Sequence, residues 1–262
     1  MPRLIFFIAY FFTVTPTFIA TLWVLEKLRL PGRRAISLRY YRALCAVLRV
    51  HIRVVGTPIR QKPTLVLANH VSWLDIPVIS AVIPIAFIAK SEIADWPIVG
   101  VAAKRLRTVF VDRNRRQQTN EAAAEIAQRL TEGDPVVLFA EGTSSDGNRV
   151  LEFRSALVGA VTQINGKHDV MLQPLSIAYT RSQGIPLGRQ NRPLVAWYGD
   201  TDFVPHFKEF LRRGAVDVVV RFGESVPFDN GSDRKSATRS MEAAVRRLTA
   251  TTLRDRTTEA VA

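Results

Sequence analysis

The chain has 262 residues, of which 47% are hydrophobic, which is enough for one large domain, or one domain with an anchor, around a well-filled core. Its single cysteine, Cys45, excludes a disulfide framework and a thiolate metal site within the chain. The formal net charge of +13 favours acidic partners such as an anionic membrane or an acidic carrier protein, and nucleic acid is the weaker candidate because the sequence has no zinc-ligand spacing and no RNA-binding signature.

Residues 4–25 form an apolar run without a charged side chain, just long enough to cross the hydrocarbon core of a bilayer. A cleaved signal peptide would have a shorter apolar region and a small-residue cleavage site, whereas this run continues into Trp23-Val-Leu-Glu-Lys27. We therefore predict a membrane anchor. Pro16 leaves two forms open, a kinked spanning helix or a bent hairpin embedded in one leaflet.

A strongly basic flank follows the anchor. Nine Lys or Arg residues and one acidic residue lie between Glu26 and Arg60. This bias suits anionic lipid and keeps the flank, with the domain behind it, on the cytoplasmic side of the cell inner membrane. The predicted division is an anchor with its basic flank over residues 1–34 and a folded domain over residues 35–262.

Apolar side chains recur at helical spacing after residue 39, with arginines between them. The spacing predicts an amphipathic helix whose apolar stripe includes Cys45, and this position argues against a catalytic role for the thiol. Two placements are equally open: the helix lies on a membrane surface, or it packs on the core and keeps a solvated basic face. The stripe consists of Tyr40, Tyr41, Leu44, Cys45 and Leu48.

From residue 50 onwards, short β-rich runs alternate with helical patterns, which is typical of an α/β fold. The clearest helix spans about residues 118–130, and a closing helix spans residues 232–253. Residues 181–192, rich in glycine and proline, predict an insertion or a mobile segment. The predicted strands are 51–55, 64–68, 86–89, 108–111, 136–139, 171–179, 194–198 and 216–222.

An imidazole and a carboxylate, His70 and Asp75, lie five positions apart after the strand 64–68. On a continuous helix this spacing is about 140° around the axis, so the side chains would not meet. Pro77 is tolerated only in the first turn of a helix, which places His70 in a strand-to-helix loop and Asp75 at the helix start. Asp75 can then bind one imidazole nitrogen and leave the other free to take a proton from a hydroxyl. The alternative is a structural His70 beside a helix cap.

Polar residues also follow two further strands. After 136–139, Gly142 can let the backbone approach a ligand while Glu141 and Thr143 point into one crevice, although an ordinary polar turn is the alternative. Arg113, after the strand 108–111, is either a solvated strand end or an anion clamp. Within the strand 171–179, Pro174 indicates an edge or a bulge.

Four blocks resemble, in chain order, the motifs of the glycerolipid acyltransferases, the family of the 1-acyl-glycerol-3-phosphate acyltransferases. The resemblance covers about residues 50–180 and implies a mixed, mostly parallel sheet flanked by helices, with an apolar anchoring helix or hairpin before it. The blocks are Asn69-His70 with Asp75 (N-H-x-x-x-x-D), Phe110-Val-Asp-Arg113, Phe139-Ala-Glu-Gly-Thr143 and Leu172-Gln-Pro-Leu175.

The resemblance implies transfer of an acyl group from a thioester, on acyl carrier protein or coenzyme A, to the hydroxyl of a lysolipid, without a cofactor or a metal. His70 is then the general base, and Asp75 orients it. Because the bound hydroxyl is itself the nucleophile, no acyl-enzyme is required. Backbone N–H groups near His70 are candidates for binding the thioester oxyanion. The implied substrate contacts are Asn69, Arg113, Glu141, Gly142 and Thr143.

The sequence departs from the family's pattern at three positions: Ala140 replaces proline, Arg107 replaces glycine, and Ser144 replaces the arginine of phosphatidate-forming members. The last change removes a guanidinium that could bind a phosphomonoester through two hydrogen bonds. Residues 141–151, 154–157 and 197–202 instead resemble the branch that acylates lyso-ornithine lipid, whose headgroup carries a free amine and a carboxylate but no phosphate. Phosphatidate formation is the alternative.

The branch resemblance adds Arg154, Asp200 and Asp202 to the predicted acceptor contacts. Asp200 or Asp202 is expected to bind the headgroup amine, unless both cap the helix that starts near Phe203. Three other functions are less favoured: a non-catalytic lipid scaffold, since the motif around His70 is intact; a serine hydrolase, since no G-x-S-x-G is present; and a metal site, since further ligands are missing.

Overall fold

Helices and strands alternate in the computed structural model, which describes residues 2–59, 62–111, 116–159, 170–228 and 233–255. The helices are α1 (Pro2–Lys27), α2 (Arg33–Val47), α3 (Asp75–Val82), α4 (Val99–Arg105), α5 (Arg116–Thr131), α6 (Phe203–Arg213) and α7 (Arg234–Arg254). The strands are β1 (Val50–Val55), β2 (Thr64–Ala68), β3 (Ala86–Lys90), β4 (Val109–Val111), β5 (Val136–Phe139), β6 (Val170–Ser182), β7 (Ile185–Pro186), β8 (Val216–Phe222) and β9 (Val226–Phe228).

The described strands form one sheet in the order β1-β8-β6-β2-β5-β3-β4, with β7 and β9 pairing on β6. All pairs are parallel except those of β6 with β7, β8 and β9. The predicted mixed, mostly parallel α/β sheet is therefore confirmed. The predicted boundary between residues 34 and 35 falls inside the first turn of α2, which begins at Arg33.

The core lies on both faces of the sheet, and β2 shows how it is divided. All of its residues are buried, which is typical of a parallel strand covered on two sides. Val66 and Ala68 pack in the cluster with α2, α3 and α6, whereas Leu65 and Leu67 pack in the cluster with α5 and α7. Alternation along the strand thus fixes which face carries α3, the helix that begins at Asp75.

Helix α2 settles the placement of the basic amphipathic segment. Its Cys45 and Leu48 are buried in the core, and the Cys45 thiol donates to the carbonyl of Pro77 in α3 at 3.6 Å. The apolar stripe therefore packs against the core, and the membrane-surface alternative is wrong for this stripe.

Helix α1 includes a 24-residue segment of mean hydropathy 1.9, long and apolar enough by length and composition to cross a membrane. It is one continuous helix through Pro16. Near its start Phe7 packs on Phe207 of α6, with ring centroids 4.8 Å apart, and near its end Glu26 pairs with Arg105 of α4 at 2.5 Å. The helix thus contacts the domain near both of its ends.

The predicted strand at 194–198 is wrong. Residues 194–198 form no strand: a 3-10 turn covers Arg192–Leu194, and the N–H groups of Val195 and Ala196 both donate back to the Arg192 carbonyl. Pro193 lies within this turn, immediately before the segment whose composition favours β structure. The predicted insertion at 181–192 begins as a hairpin of β6 and β7.

Pro174 lies neither in an edge strand nor at the register shift of β6. It pairs with Leu67 of the central strand β2, and its carbonyl accepts from Gly223, just beyond β8. Because the N–H and C=O of one residue point to the same side of a strand, the missing N–H faces the gap between β8 and β9. A β-carbon on Gly223 would lie 2.8 Å from Pro174 Cγ, so the close approach requires glycine.

Candidate active site

The carboxyl ends of β2 and β5 bring two of the sequence blocks side by side. Ala68 and Phe139 are register partners, and the Ala140 N–H donates to the Ala68 carbonyl at 3.2 Å just beyond the paired residues. Each strand then passes into an irregular loop. This is the edge at which α/β sheets collect functional residues, so the two blocks share one site.

His70 and Asp75 meet as the spacing predicts. Asp75 opens α3, and its Oδ2 lies 2.7 Å from His70 Nδ1. The same oxygen accepts the N–H groups of Val71, at 2.7 Å, and Ser72, at 3.0 Å. Because a carboxylate only accepts, Nδ1 carries the proton and Nε2 is left as the base. The His70 side chain is 19% exposed and that of Asp75 is fully buried, so only the imidazole reaches solvent.

The other oxygen of Asp75 has a partner that the sequence did not reveal. The Tyr179 hydroxyl donates to Asp75 Oδ1 at 2.6 Å, from the far end of β6. Tyr179 is buried, and burial raises the pKa of its hydroxyl well above the usual value, so it remains a donor. The alternation Leu175, Ile177, Tyr179 places the ring on the core face, but no local pattern shows that this face meets the start of α3.

We expect Tyr179→Phe to lower kcat while leaving KM nearly unchanged, because Asp75 loses a donor and holds His70 less firmly. A hydrogen bond to a buried charged group contributes about 1.5–3 kcal/mol, so thermal unfolding should shift accordingly. Tyr41→Phe is a control, since it removes another tyrosine hydroxyl that packs against the same core cluster and is not the one bonded to Asp75. If both variants lost activity equally, the hydroxyl of Tyr179 would have no specific effect on the site.

Asn69 is directed at the protein rather than outward. Its side chain is buried, Nδ2 donates to the Ile177 carbonyl at 2.9 Å, and Oδ1 accepts the Ile177 N–H at 2.8 Å. Both ends of the amide thus bind one residue of β6. This pair fixes the start of the His70 loop against the strand that carries Tyr179, so in this structure both ends of the Asn69 side chain bind protein.

The His70 ring is also held by packing. Phe139, the last residue of β5, stacks on it with ring centroids 4.1 Å apart and an angle of 17°. Beneath the loop, the buried Glu141 accepts the His70 N–H at 3.4 Å through Oε1. Thr143, by contrast, is exposed, so the two side chains do not share a crevice. Between them Gly142 adopts φ +73°, which turns the chain outward.

Three N–H groups near the base have carboxylate partners. Those of Val71 and Ser72 donate to Asp75, and that of His70 donates to Glu141. They were the candidates for binding an oxyanion. Since all three are occupied, donors for a tetrahedral intermediate must come from other groups.

Glu141 should make stability depend on pH. Burial raises the pKa of its carboxyl from 4.5 to about 8, and Oε2 has no hydrogen-bond partner among the described residues. Between these values the unfolded chain releases the proton and the folded chain keeps it, so stability falls as pH rises from about 4.5 to about 8. Glu141→Gln should remove that loss. As pH rises across this interval, we therefore expect the melting temperature of the variant to increase relative to that of the wild type. A constant difference between the two melting temperatures would contradict the prediction.

Residues 195–202 lie against the His70 loop. The Trp197 N–H donates to the Val71 carbonyl at 2.9 Å, and Ser144 Oγ donates to the Trp197 carbonyl at 2.5 Å. Asp200 and Asp202 extend from this segment and are exposed. Asp202 occupies the N-cap position of α6, yet in the described structure its side chain makes no capping hydrogen bond. Its carboxylate is therefore free for another partner.

The two remaining predicted contacts are Arg113 and Arg154. Arg113 lies outside the described residues. Arg154 is exposed, and its backbone N–H donates to the Ala140 carbonyl at 2.8 Å. That bond places Arg154 next to the loop that begins at Glu141.

Arg107 shows why glycine is usual at its position. Its φ is +63°, in the left-handed region that glycine adopts without strain. Its guanidinium binds the buried Asp134 at 2.9 Å, and Arg33 and Arg34 of α2 bind the same carboxylate at 2.8 and 2.9 Å. Arg107 and the two arginines of α2 thus share Asp134, which holds the start of α2 against the sheet. The role of Arg107 is therefore structural.

Comparison with known proteins agrees with this geometry. Residues 51–178 match the acyltransferase family model. The lyso-ornithine lipid O-acyltransferase of Brucella abortus is 48% identical over 225 residues, which cover 85% of this chain and 84% of that protein. The corresponding enzyme of Rhizobium meliloti is 41% identical over 94% of this chain and 84% of its own length.

A sequence relative of the other branch matches a shorter part of the chain. The 1-acyl-sn-glycerol-3-phosphate acyltransferase of Neisseria gonorrhoeae is 40% identical over 43% of this chain and 45% of that protein. The crystal structure of the 1-acyl-sn-glycerophosphate acyltransferase of Thermotoga maritima has the same fold, with a TM-score of 0.65 over 98% of both chains at 24% identity. With relatives of this similarity over most of its length and with the paired His70 and Asp75, the chain belongs to the acyltransferase family.

Proposed function

We propose that the protein is a membrane-bound O-acyltransferase that moves a fatty acyl group from an acyl thioester to the hydroxyl of lyso-ornithine lipid, giving ornithine lipid. The observation that carries the proposal is the His70–Asp75 pair, with Nε2 of His70 free, in a chain 48% identical over 85% of its length to a lyso-ornithine lipid O-acyltransferase.

In the proposed mechanism the acceptor hydroxyl attacks the thioester carbonyl carbon while Nε2 of His70 takes its proton. Asp75 stabilises the imidazolium that forms and keeps the ring oriented. The tetrahedral intermediate then expels the thiolate, which receives the proton from His70. The ester bond forms, the thioester bond breaks, and the enzyme returns to its initial state without a covalent intermediate.

The donor is an acyl carrier protein or coenzyme A, both of which are acidic partners for a chain of net charge +13. The lysolipid is embedded in a membrane, and the apolar exposed face of α1 anchors the enzyme there. The basic flank after α1 supports a catalytic domain on the cytoplasmic side of the inner membrane, facing anionic lipid.

The acceptor assignment depends on the headgroup. Ser144 stands where phosphatidate-forming members carry arginine, so this position supplies no cation for a phosphate. Its hydroxyl donates to the Trp197 carbonyl. The exposed carboxylates of Asp200 and Asp202 lie on the segment that Trp197 joins to the His70 loop, where they can receive an ammonium group. Both features favour lyso-ornithine lipid over lysophosphatidate.

The direct test is an assay of the membrane-bound protein. It is supplied with acyl-carrier-protein thioester or acyl-coenzyme A and with lyso-ornithine lipid or lysophosphatidate in turn. We expect transfer to lyso-ornithine lipid. Transfer to lysophosphatidate alone would reassign the acceptor, and a lack of transfer to either would contradict the catalytic proposal.

A related prediction concerns the headgroup amine. Asp200→Asn or Asp202→Asn should raise KM for lyso-ornithine lipid by roughly tenfold, which corresponds to the loss of one charged hydrogen bond, while kcat changes little. An acceptor analogue without the amine should be unaffected by the same substitutions. An equal rise in KM for both acceptors would show that these carboxylates do not bind the headgroup amine.

A further inference from the structure

A guanidinium lies where two loops of the site meet. Arg192 Nη1 donates to Asn148 Oδ1 at 3.0 Å, and Asn148 Nδ2 donates to the Arg189 carbonyl at 3.0 Å. These bonds join the loop that follows Glu141 to the segment that leads into Trp197. Arg192 is thereby fixed between the two sequence regions in which this chain resembles the lyso-ornithine branch.

This arginine makes no ion pair in the described part of the chain. Its Nε is buried without a hydrogen bond, and no carboxylate lies within ion-pair distance among the residues that the structure describes. Burial lowers the pKa of Arg192, the neighbouring Arg189 lowers it further, and the nearby Asp146 acts in the opposite direction. Asp146, the nearby acid, accepts both the N–H and the side-chain amide of Asn148. An anionic group of a bound ligand would stabilise a partly buried cation of this kind.

The arginine also lies close to the catalytic loop. A β-carbon on Gly147 would be 3.2 Å from Cγ1 of Val71 and 3.7 Å from Cβ of Arg192, so Gly147 packs between the base of the Arg192 side chain and the residue after His70. Ser145, two residues earlier, donates its N–H to the His70 carbonyl at 2.8 Å. The loop that binds Arg192 is therefore joined to the loop that carries His70.

We propose that Arg192 forms a carboxylate subsite for the acceptor headgroup, in which its guanidinium binds the carboxylate of the lysolipid. The inference rests on the proposed function and deepens it. Asp200 and Asp202 follow on the same segment, so one stretch of chain presents a cation and two carboxylates to a headgroup that carries a carboxylate and an ammonium group. Recognition of both charges distinguishes a zwitterionic amino-acid headgroup from a phosphomonoester.

The experiment compares two acceptors, lyso-ornithine lipid and the analogue whose carboxylate is a carboxamide. The wild type should use the carboxylate with a kcat/KM about 10- to 100-fold higher, as expected for a charge-assisted pair. Arg192→Gln should bring that ratio close to one, and Arg192→Lys should keep part of it. The matched control is Arg189→Gln, which removes the same charge from an exposed side chain whose carbonyl alone contacts Asn148, and it should leave the ratio unchanged.

Equal use of the two acceptors by the wild type would overturn the subsite even if Arg192→Gln failed to fold. A preference that survived in Arg192→Gln would also overturn it. Transfer to neither acceptor by the wild type would instead contradict the proposed function, so the two failures are distinguishable.

Discussion

Replacing His70 by alanine is expected to lower kcat by about 10²–10⁴-fold, because the acceptor hydroxyl then has no base in reach. The fold should survive. The imidazole is partly exposed, and its loss removes one stacking contact with Phe139 and one hydrogen bond of Asp75, which keeps its bonds from Val71, Ser72 and Tyr179. Initial rates of acyl transfer and thermal unfolding, measured on the same preparation, separate the two effects.

The chain contains a matched control in a second histidine–aspartate pair. His51 Nδ1 lies 2.9 Å from Asp217 Oδ1 between β1 and β8, and the His51 side chain is 51% exposed. His51→Ala removes the same kind of contact away from the site and should leave the rate unchanged. If His70→Ala retained full activity in folded protein, general-base catalysis by this residue would be wrong.

The predictable part of the site was local. Pro77 fixes the start of α3, and the buried run of β2 fixes the end of the strand, so the loop between them and the meeting of His70 with Asp75 follow from neighbouring residues. The same logic places the loop at Glu141 after β5. Parallel pairing of the two strands then puts both loops at one edge of the sheet.

The remainder depended on contacts that sequence spacing does not encode. Tyr179 reaches Asp75 across 104 positions, and Asn69 binds Ile177 across 108. The prediction of a strand at 194–198 was wrong for a related reason. The composition of this segment favours β structure, but Trp197 makes a single backbone hydrogen bond to Val71 instead of a strand ladder. The local β propensity was overridden there by a contact with a distant part of the chain.

Asp75→Asn should lower kcat by about 10²-fold or more while the protein stays folded. Three donors, from His70, Val71 and Ser72, converge on Oδ2, so the amide oxygen must take that position and the amide nitrogen must face Tyr179. The tyrosine hydroxyl can rotate to accept from it. The geometry is thereby kept, but a neutral amide no longer stabilises the imidazolium that forms when His70 takes the proton.

Asp75→Ala gives the contrasting result. It leaves two backbone N–H groups and the Tyr179 hydroxyl buried without a partner, so we expect a loss of about 3–5 kcal/mol in the free energy of unfolding. Because Asp75 acts through His70, the double variant His70→Ala/Asp75→Asn should be no slower than His70→Ala alone. Rates that multiplied in the double variant would show that Asp75 contributes to catalysis independently of the imidazole.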